Sequence, residues 1–137
     1  MMKLTIMDVD GVSHIHLELI DFYNYTDQFT FSINLNKSGF WANKVIIMER
    51  EDLILLRKSL SVFAFGKSLT YECKPMIDEH FIINFQSDVE GHIKVKCTLK
   101  DWDYSSEMKI VLNTDQTVLY NFCSQIDELL SYTITYR

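Results

Sequence analysis

Residues 92–100 read His92-Ile-Lys-Val-Lys-Cys-Thr-Leu-Lys100, so that an apolar side chain alternates with a polar one. The alternate positions from Ile93 to Leu99 therefore fall on one face of an extended strand, with lysines and a threonine on the other. Strands of parallel sheets are covered on both faces and have continuous apolar sequences, whereas a strand with one wet face is typical of an antiparallel sheet. The stretch predicts an antiparallel sheet with one face in the core.

The same period of two recurs along most of the chain. It covers residues 13–20, 29–35 and 40–48 in the first half, and 69–74, 81–86 and 108–112 in the second. Three four-residue segments that end in glycine, typical of hairpin connections, lie at Asp8–Gly11, Asn36–Gly39 and Asp88–Gly91. We expect about seven to eight strands in an antiparallel meander.

Two segments instead carry apolar residues at spacings of three and four, which predicts helices. In residues 51–65 these are Leu53, Leu56, Leu60 and Phe63, and Gly66 follows at a common helix end. In residues 115–131 they are Leu119, Phe122, Cys123, Ile126, Leu129 and Leu130, with Thr114 as the expected N-cap. We expect an α+β fold in which two helices cover one face of the antiparallel sheet.

Size and composition predict a single domain. The 137 residues are 47% hydrophobic, enough for one core, and no linker-like segment interrupts residues 1–137. The N-terminus does not resemble a secretory signal, and charged residues interrupt every apolar run well short of a membrane span. We therefore expect a soluble protein without membrane contacts.

The net charge and the cysteine content indicate what kind of binding partner and which cellular compartment to expect. The formal net charge is -6, which disfavours direct binding to nucleic acid and favours a basic partner. The three cysteines, Cys73, Cys97 and Cys123, lack CxxC spacing and lie on the apolar sides of their elements. We expect them to be reduced core residues of a cytoplasmic protein.

Two short motifs suggest chemistry. Asp8-Val9-Asp10-Gly11 after an apolar strand resembles the first motif of haloacid-dehalogenase phosphatases, but the alternating strand from Ser13 leaves no room for the helix that follows in that fold. His14 and His16, with Glu18, lie on one strand face and could hold zinc, although solvated strand residues are the favoured interpretation. We expect no catalytic residue, metal or cofactor, and leave metal binding by the two histidines open.

Aromatic residues among carboxylates are the best candidates for a binding site. They occur in two predicted loops and comprise Asp101, Trp102, Asp103 and Tyr104 in one, and Tyr23 and Tyr25 in the other. Tryptophan and tyrosine dominate the energetics of protein interfaces, and flanking aspartates attract a basic partner. The alternative is that these aromatic side chains fold back onto the sheet edge.

Several segments together resemble the WapI-type immunity proteins. They are Gly39-Phe40-Trp41-Ala42, Glu51-Asp52-Leu53, Gly91-His92-Ile93-Lys94-Val95 and Asp115-Gln116-Thr117-Val118-Leu119, in this order over roughly residues 29–130. The resemblance implies a small cytoplasmic, non-enzymatic bacterial antitoxin that binds and blocks a cognate toxin domain, often a nuclease. It assigns no functional residue.

Two functions of different classes stay open. The first is an immunity protein that binds a toxin, with a basic surface, through its sheet or loops. The second is a small-ligand-binding or accessory module with a cavity between the sheet and its helices. An enzyme is a third and less favoured reading, because no catalytic constellation occurs in the sequence.

Overall fold

The computed structural model describes residues 2–23, 25–63, 68–103 and 105–134, with side chains as far as residue 131. Four strands followed by a helix occur twice in succession. The elements are β1 (Lys3–Met7), β2 (His14–Tyr23), β3 (Gln28–Lys37), β4 (Phe40–Glu49), α1 (Arg50–Leu60), β5 (Leu69–Cys73), β6 (Phe81–Ser87), β7 (Ile93–Lys100), β8 (Glu107–Thr114) and α2 (Gln116–Ile134).

The strands form two antiparallel meanders, β1-β2-β3-β4 (sheet A) and β5-β6-β7-β8 (sheet B). This confirms the predicted α+β fold of about seven to eight antiparallel strands and two helices; the structure has eight strands and divides them into two sheets. In sheet A, Lys37 pairs with Phe40 across a two-residue turn, in which Ser38 and Gly39 both have positive φ. Such turns match the twist of the strands that they join.

One core lies between the sheets and the helices. Most of the alternate residues on the predicted apolar strand faces are buried, Leu19, Leu69, Tyr71 and Met108 are partly buried, and apolar residues of both helices join them. Phe122 of α2 is 1% exposed, and its ring centroid lies 6.2 Å from that of Phe85 in β6. The three cysteines are unpaired and buried, as the sequence predicts.

Helix α1 begins one residue earlier and ends earlier than the apolar pattern predicts. Glu49 caps it, and the amide of Glu49 donates to Asp52 Oδ2 at 2.9 Å, which forms a capping box. The main-chain amides of Val62 and Phe63 bond three residues back, so the chain leaves the helix in a tight turn after Leu60. Phe63 is still buried, and Gly66 lies outside the described residues.

The start of helix α2 corrects the predicted N-cap. Asp115, and not Thr114, caps the helix, because Asp115 Oδ1 accepts the amide of Val118 at 3.0 Å. Thr114 ends β8, and its hydroxyl donates to the carbonyl of Met7 at 2.8 Å. The threonine hydroxyl therefore joins the two sheets and is not free to cap.

The segment Asp8–Gly11, which follows β1, forms a turn, as its sequence predicts for a hairpin connection. Asp10 Oδ1 accepts the amides of Val12 and Ser13, and β2 begins at His14. A strand therefore follows where a phosphatase would have a helix. Among the described residues, no helix is long and apolar enough to cross a membrane.

Candidate partner-binding surface

The loop between β7 and β8 presents the predicted residues Asp101, Trp102 and Asp103. The Trp102 side chain is 77% exposed, so it does not fold back onto the sheet edge. The loop is braced from within: Asp101 Oδ1 accepts the amide of Trp102 at 2.8 Å, and Asp103 Oδ1 accepts the amide of Ser105 at 3.0 Å. The hydroxyl and amide of Ser105 lower the pKa of Asp103, which is therefore a carboxylate at neutral pH.

His80 fastens this loop to the neighbouring one. His80 Nε2 lies 3.0 Å from the carbonyl oxygen of Trp102, and His80 Nδ1 lies 3.1 Å from Asp78 Oδ1. The main chain adds a bond of 2.8 Å from the amide of Lys100 to the carbonyl of His80. A carbonyl can only accept, so Nε2 carries a proton and donates it to the loop.

Asp78 extends this chain of bonds to the edge of sheet A. Its Oδ2 accepts the amide of Ile47 in β4 at 3.0 Å. Met76, Ile77 and Ile47 are exposed around this contact. Asp101, Trp102, Asp103, Asp78 and His80, hereafter the loop surface, therefore form one connected unit beside exposed apolar side chains.

The second predicted loop joins β2 to β3, and both of its tyrosines, Tyr23 and Tyr25, are exposed. Tyr23 lies opposite Gln28, which lies opposite Glu49 two residues beyond Ile47. The strand spacing and rise put the Cα atoms of Tyr23 and Ile47 about 12 Å apart on one face of sheet A. Tyr104 lies outside the described residues.

Arg50 holds the β2–β3 loop in place. Its Nε donates to Asp27 Oδ1 at 3.0 Å, and its guanidinium lies 5.5 Å from the ring centroid of Phe22 and 5.4 Å from that of Phe29. Burial lowers the pKa of Arg50. Asp27 adopts a left-handed conformation with φ of 55°, which Asp tolerates better than most residues.

The two histidines of β2 belong to a polar network across sheet A. His16 Nδ1 lies 2.9 Å from Thr5 Oγ1, His14 Nε2 lies 3.0 Å from Asn34 Oδ1, and the two rings are 3.9 Å apart. Burial, with the charges of His14 and Lys3, lowers the pKa of His16 to about 4. The described residues contain no group of three His, Cys, Asp or Glu side chains placed to hold a metal.

Three cavities bear on the small-ligand alternative. One of about 400 Å³ opens at the end of sheet B, where polar residues such as Gln86, Asp88, His92 and Asn113 line it. Another, of about 210 Å³, lies between the two helices. A third, of about 420 Å³, lies between β1 of sheet A and α2, where Met2, Lys3, Gln125 and Glu128 line it.

Asp78 and His80 support the loop surface, although the sequence does not predict them as site residues. Met76 and Ile77, apolar residues beside Pro75 with no core to fill, indicate an exposed segment, but nothing in the sequence places Asp78 and His80 beside Trp102. Phe40 and Trp41, at the β3–β4 hairpin, are largely exposed, which the sequence does not predict either. The alternating pattern of residues 40–48 predicts a strand, but it does not predict whether another element of the fold covers Phe40 and Trp41.

Neither a family model nor a curated protein sequence matches this chain. The fold is similar to that in the crystal structures of Trypanosoma bruciei MRP1/MRP2, with a TM-score of 0.58 and 9% sequence identity. The likeness covers 98% of this chain and 85% of the other. At this identity it shows a shared fold, and no site residue or activity follows from it.

Proposed function

We propose that the protein is a non-enzymatic immunity protein of the WapI type, which acts in the cytoplasm and neutralises a bacterial toxin domain by binding it. The observation that carries the proposal is the loop surface. Trp102 stands exposed between Asp101 and Asp103 on a loop that His80 and Asp78 fasten to the sheet. A loop whose main chain is held in advance loses little conformational entropy when its aromatic side chain binds.

The charges around Trp102 favour a basic partner. Asp101 and Asp103 are exposed, and the whole chain carries a formal net charge of -6. A nuclease toxin presents cations to the phosphates of its substrate, so an acidic protein with an exposed anchor can cover that surface. Such association is fast and weakens as salt rises.

The resemblance of residues 29–130 to WapI-type proteins supports the same function. The three buried, unpaired cysteines suit the reducing cytoplasm, where an immunity protein must act.

The first test is binding to the C-terminal domain of a large secreted protein encoded beside this one. Titration calorimetry at low and high salt should show a complex that weakens with salt, and Trp102→Ala should weaken it at least tenfold. Asp103→Asn should lower the association rate, whereas Glu90→Gln, at an exposed carboxylate in the β6–β7 turn, should not. A complex that Trp102→Ala leaves unchanged would contradict the proposed surface.

The small-ligand module is the second candidate, and the cavity at the end of sheet B favours it. Its volume of about 400 Å³ is that of a small-molecule site, and Asp88 and His92 offer polar partners on its wall. Native mass spectrometry of the purified protein would test it. A bound small molecule that Asn113→Trp displaces would support this function over the first.

A further inference from the structure

A cavity of about 210 Å³, hereafter the interhelix cavity, lies between the end of α1 and the start of α2. Leu60 at the end of α1, Phe63 in the turn after it and Leu119 of α2 form buried apolar walls. Because a water molecule takes up about 30 Å³, the cavity has room for about seven non-hydrogen atoms. It shares no lining residue with the cavity at the end of sheet B, so the two are separate.

Gln116, the first residue of α2, brings a buried hydrogen-bond donor to this cavity. It is one of the lining residues, and its Nε2 is buried without a hydrogen-bond partner in the protein. No other side-chain nitrogen or oxygen of the described residues is buried and unpaired in this way. Folded proteins almost always pair such groups, because a buried donor left unpaired destabilises the fold. The interhelix cavity therefore favours an occupant with a hydrogen-bond acceptor.

The walls of the cavity suit an apolar occupant better than water. A buried water molecule makes about three hydrogen bonds, and Leu60, Phe63 and Leu119 offer it none. The hydroxyl of Ser61, which also lines the cavity, already donates to the carbonyl of Lys58 at 2.6 Å. An apolar body with a single acceptor atom fits both the walls and the amide of Gln116.

The charges at the cavity favour a neutral occupant. Arg57 is the one charged residue that lines it. The Nε atom of Arg57 donates to Asp127 Oδ1 at 2.9 Å, so its positive charge is already paired. A carboxylate would lose its hydration on entering without gaining an unpaired cation, which is costly. A carbonyl oxygen accepts a hydrogen bond without carrying a charge into the cavity.

We propose that the interhelix cavity binds a small neutral molecule of about seven non-hydrogen atoms, with an apolar body and one carbonyl oxygen. The carbonyl oxygen accepts a hydrogen bond from Gln116 Nε2, and the body packs on Leu60, Phe63 and Leu119. The ligand contacts both helices and therefore stabilises their packing. This site is separate from the loop surface, and binding there does not require a toxin partner.

The test is an NMR titration of the ¹⁵N-labelled protein with cyclohexanone, a neutral ketone of this size. We expect saturable shifts of the side-chain amide signals of Gln116 and of the main-chain amide signal of Leu119, with a dissociation constant of about 1–10 mM. Cyclohexylammonium, which lacks an acceptor, and cyclohexanecarboxylate, which is charged, should bind at least fivefold more weakly. Cyclohexanone should also raise the melting temperature, because it binds the folded chain only.

Two variants and a matched control separate the contributions. Gln116→Leu should weaken cyclohexanone binding at least fivefold without lowering the melting temperature of the ligand-free protein, because it removes an unpaired donor. Cys123→Leu enlarges a buried lining residue and should abolish binding. Gln86→Leu makes the same change as Gln116→Leu at the exposed end of sheet B and should leave binding unchanged. If Cys123→Leu fails to fold, Gln116→Leu and the three ligands still test the site.

Three results would overturn the proposal. The first is the absence of saturable shifts at Gln116 and Leu119 with cyclohexanone up to about 50 mM, which covers weak binding. The second is equal binding of cyclohexylammonium, or equal binding of cyclohexanone to Gln116→Leu, because the amide would then not recognise the ligand. The third is shifts confined to Gln86 and Asn113, which would place the ketone at the end of sheet B and support the small-ligand function instead. None of these results changes the test of the toxin complex with Trp102→Ala.

Discussion

The ammonium group of Lys37 lies 2.9 Å from Asp8 Oδ2 and joins the β3–β4 hairpin to the turn after β1. The same oxygen accepts the amide of Asn113 at 2.9 Å, and Asp8 Oδ1 accepts the amide of Asp10 at 2.9 Å. The Asp8 side chain is only 3% exposed. One buried carboxylate therefore connects two turns of sheet A to the edge strand of sheet B.

Asp8→Asn should lower the free energy of unfolding by about 3 kcal/mol. The amide that replaces one oxygen points a donor at another donor and leaves Lys37 without its anion, and breaking a partly buried pair costs this much. Urea denaturation measures the change. Asp21→Asn, at an exposed carboxylate, should change it by less than about 0.5 kcal/mol. Equal effects of the two substitutions would contradict the structural role of Asp8.

The contribution of Asp8 should also depend on pH. Burial opposes its ionisation, but the bonds from the amides of Asp10 and Asn113 and from Lys37 outweigh burial, and the pKa is lowered from 3.8. The carboxylate therefore stabilises the fold fully above the unfolded pKa and loses this effect as the pH falls through the lower folded one. Urea denaturation should show that the difference in the free energy of unfolding between wild type and Asp8→Asn becomes smaller as the pH falls from about 5 to about 2.

His16 should make the protein less stable between pH 6.5 and pH 4. Its pKa is lowered from 6.5 to about 4, mainly by burial and then by His14 and Lys3, while Glu18 acts in the opposite direction. The unfolded chain binds a proton that the folded chain does not, so the free energy of unfolding decreases as the pH drops from 6.5 to about 4. His16→Gln should flatten the dependence in denaturation series, and His92→Gln, at a largely exposed ring, should preserve it.

Arg50→Met should lower the free energy of unfolding by about 2 kcal/mol. The substitution removes the guanidinium and with it the ion pair with Asp27 and the contacts with the rings of Phe22 and Phe29. Arg57→Met is the matched control. Its pair with Asp127 is partly exposed, so thermal or urea unfolding should show a change below about 1 kcal/mol. If both substitutions cost the same, burial of Arg50 would not be what stabilises the β2–β3 loop.

The three thiols should resist labelling in the folded protein. Burial raises the pKa of Cys73 to about 12 and raises those of Cys97 and Cys123. The thiolate is the reactive form, so a disulfide reagent at pH 8 should label none within minutes and all three in concentrated urea. Rapid labelling of one thiol in the native state would show that its element opens locally.

The strand alternation and helix spacing predicted nearly all of the secondary structure, since burial on one face imposes a period on the sequence. The pattern from Ile93 to Leu99 became β7, with the apolar positions buried. The end of α1 and the cap of α2 were not predictable from the pattern. Both depend on hydrogen bonds that compete for the same groups, as when the Thr114 hydroxyl bonds Met7 and leaves the cap to Asp115.

The candidate surface was predicted in part. Exposure of Trp102, Tyr23 and Tyr25 agrees with aromatic residues in loops, where there is little core to fill. The support of the β7–β8 loop by His80 and Asp78 was not predictable. These two residues lie more than 20 positions before Trp102, and only the pairing of β6 with β7 brings them close to it.

The sequence by itself determined the fold class, the two helices, the buried cysteines and the turns, because each follows from local periodicity and local turn chemistry. Tertiary structure alone decided how eight strands divide into two sheets, and so which edges are paired. Sheet division depends on long-range contacts such as that of Asn113 with Asp8 and Val9, which have no counterpart in the spacing of residues along the chain.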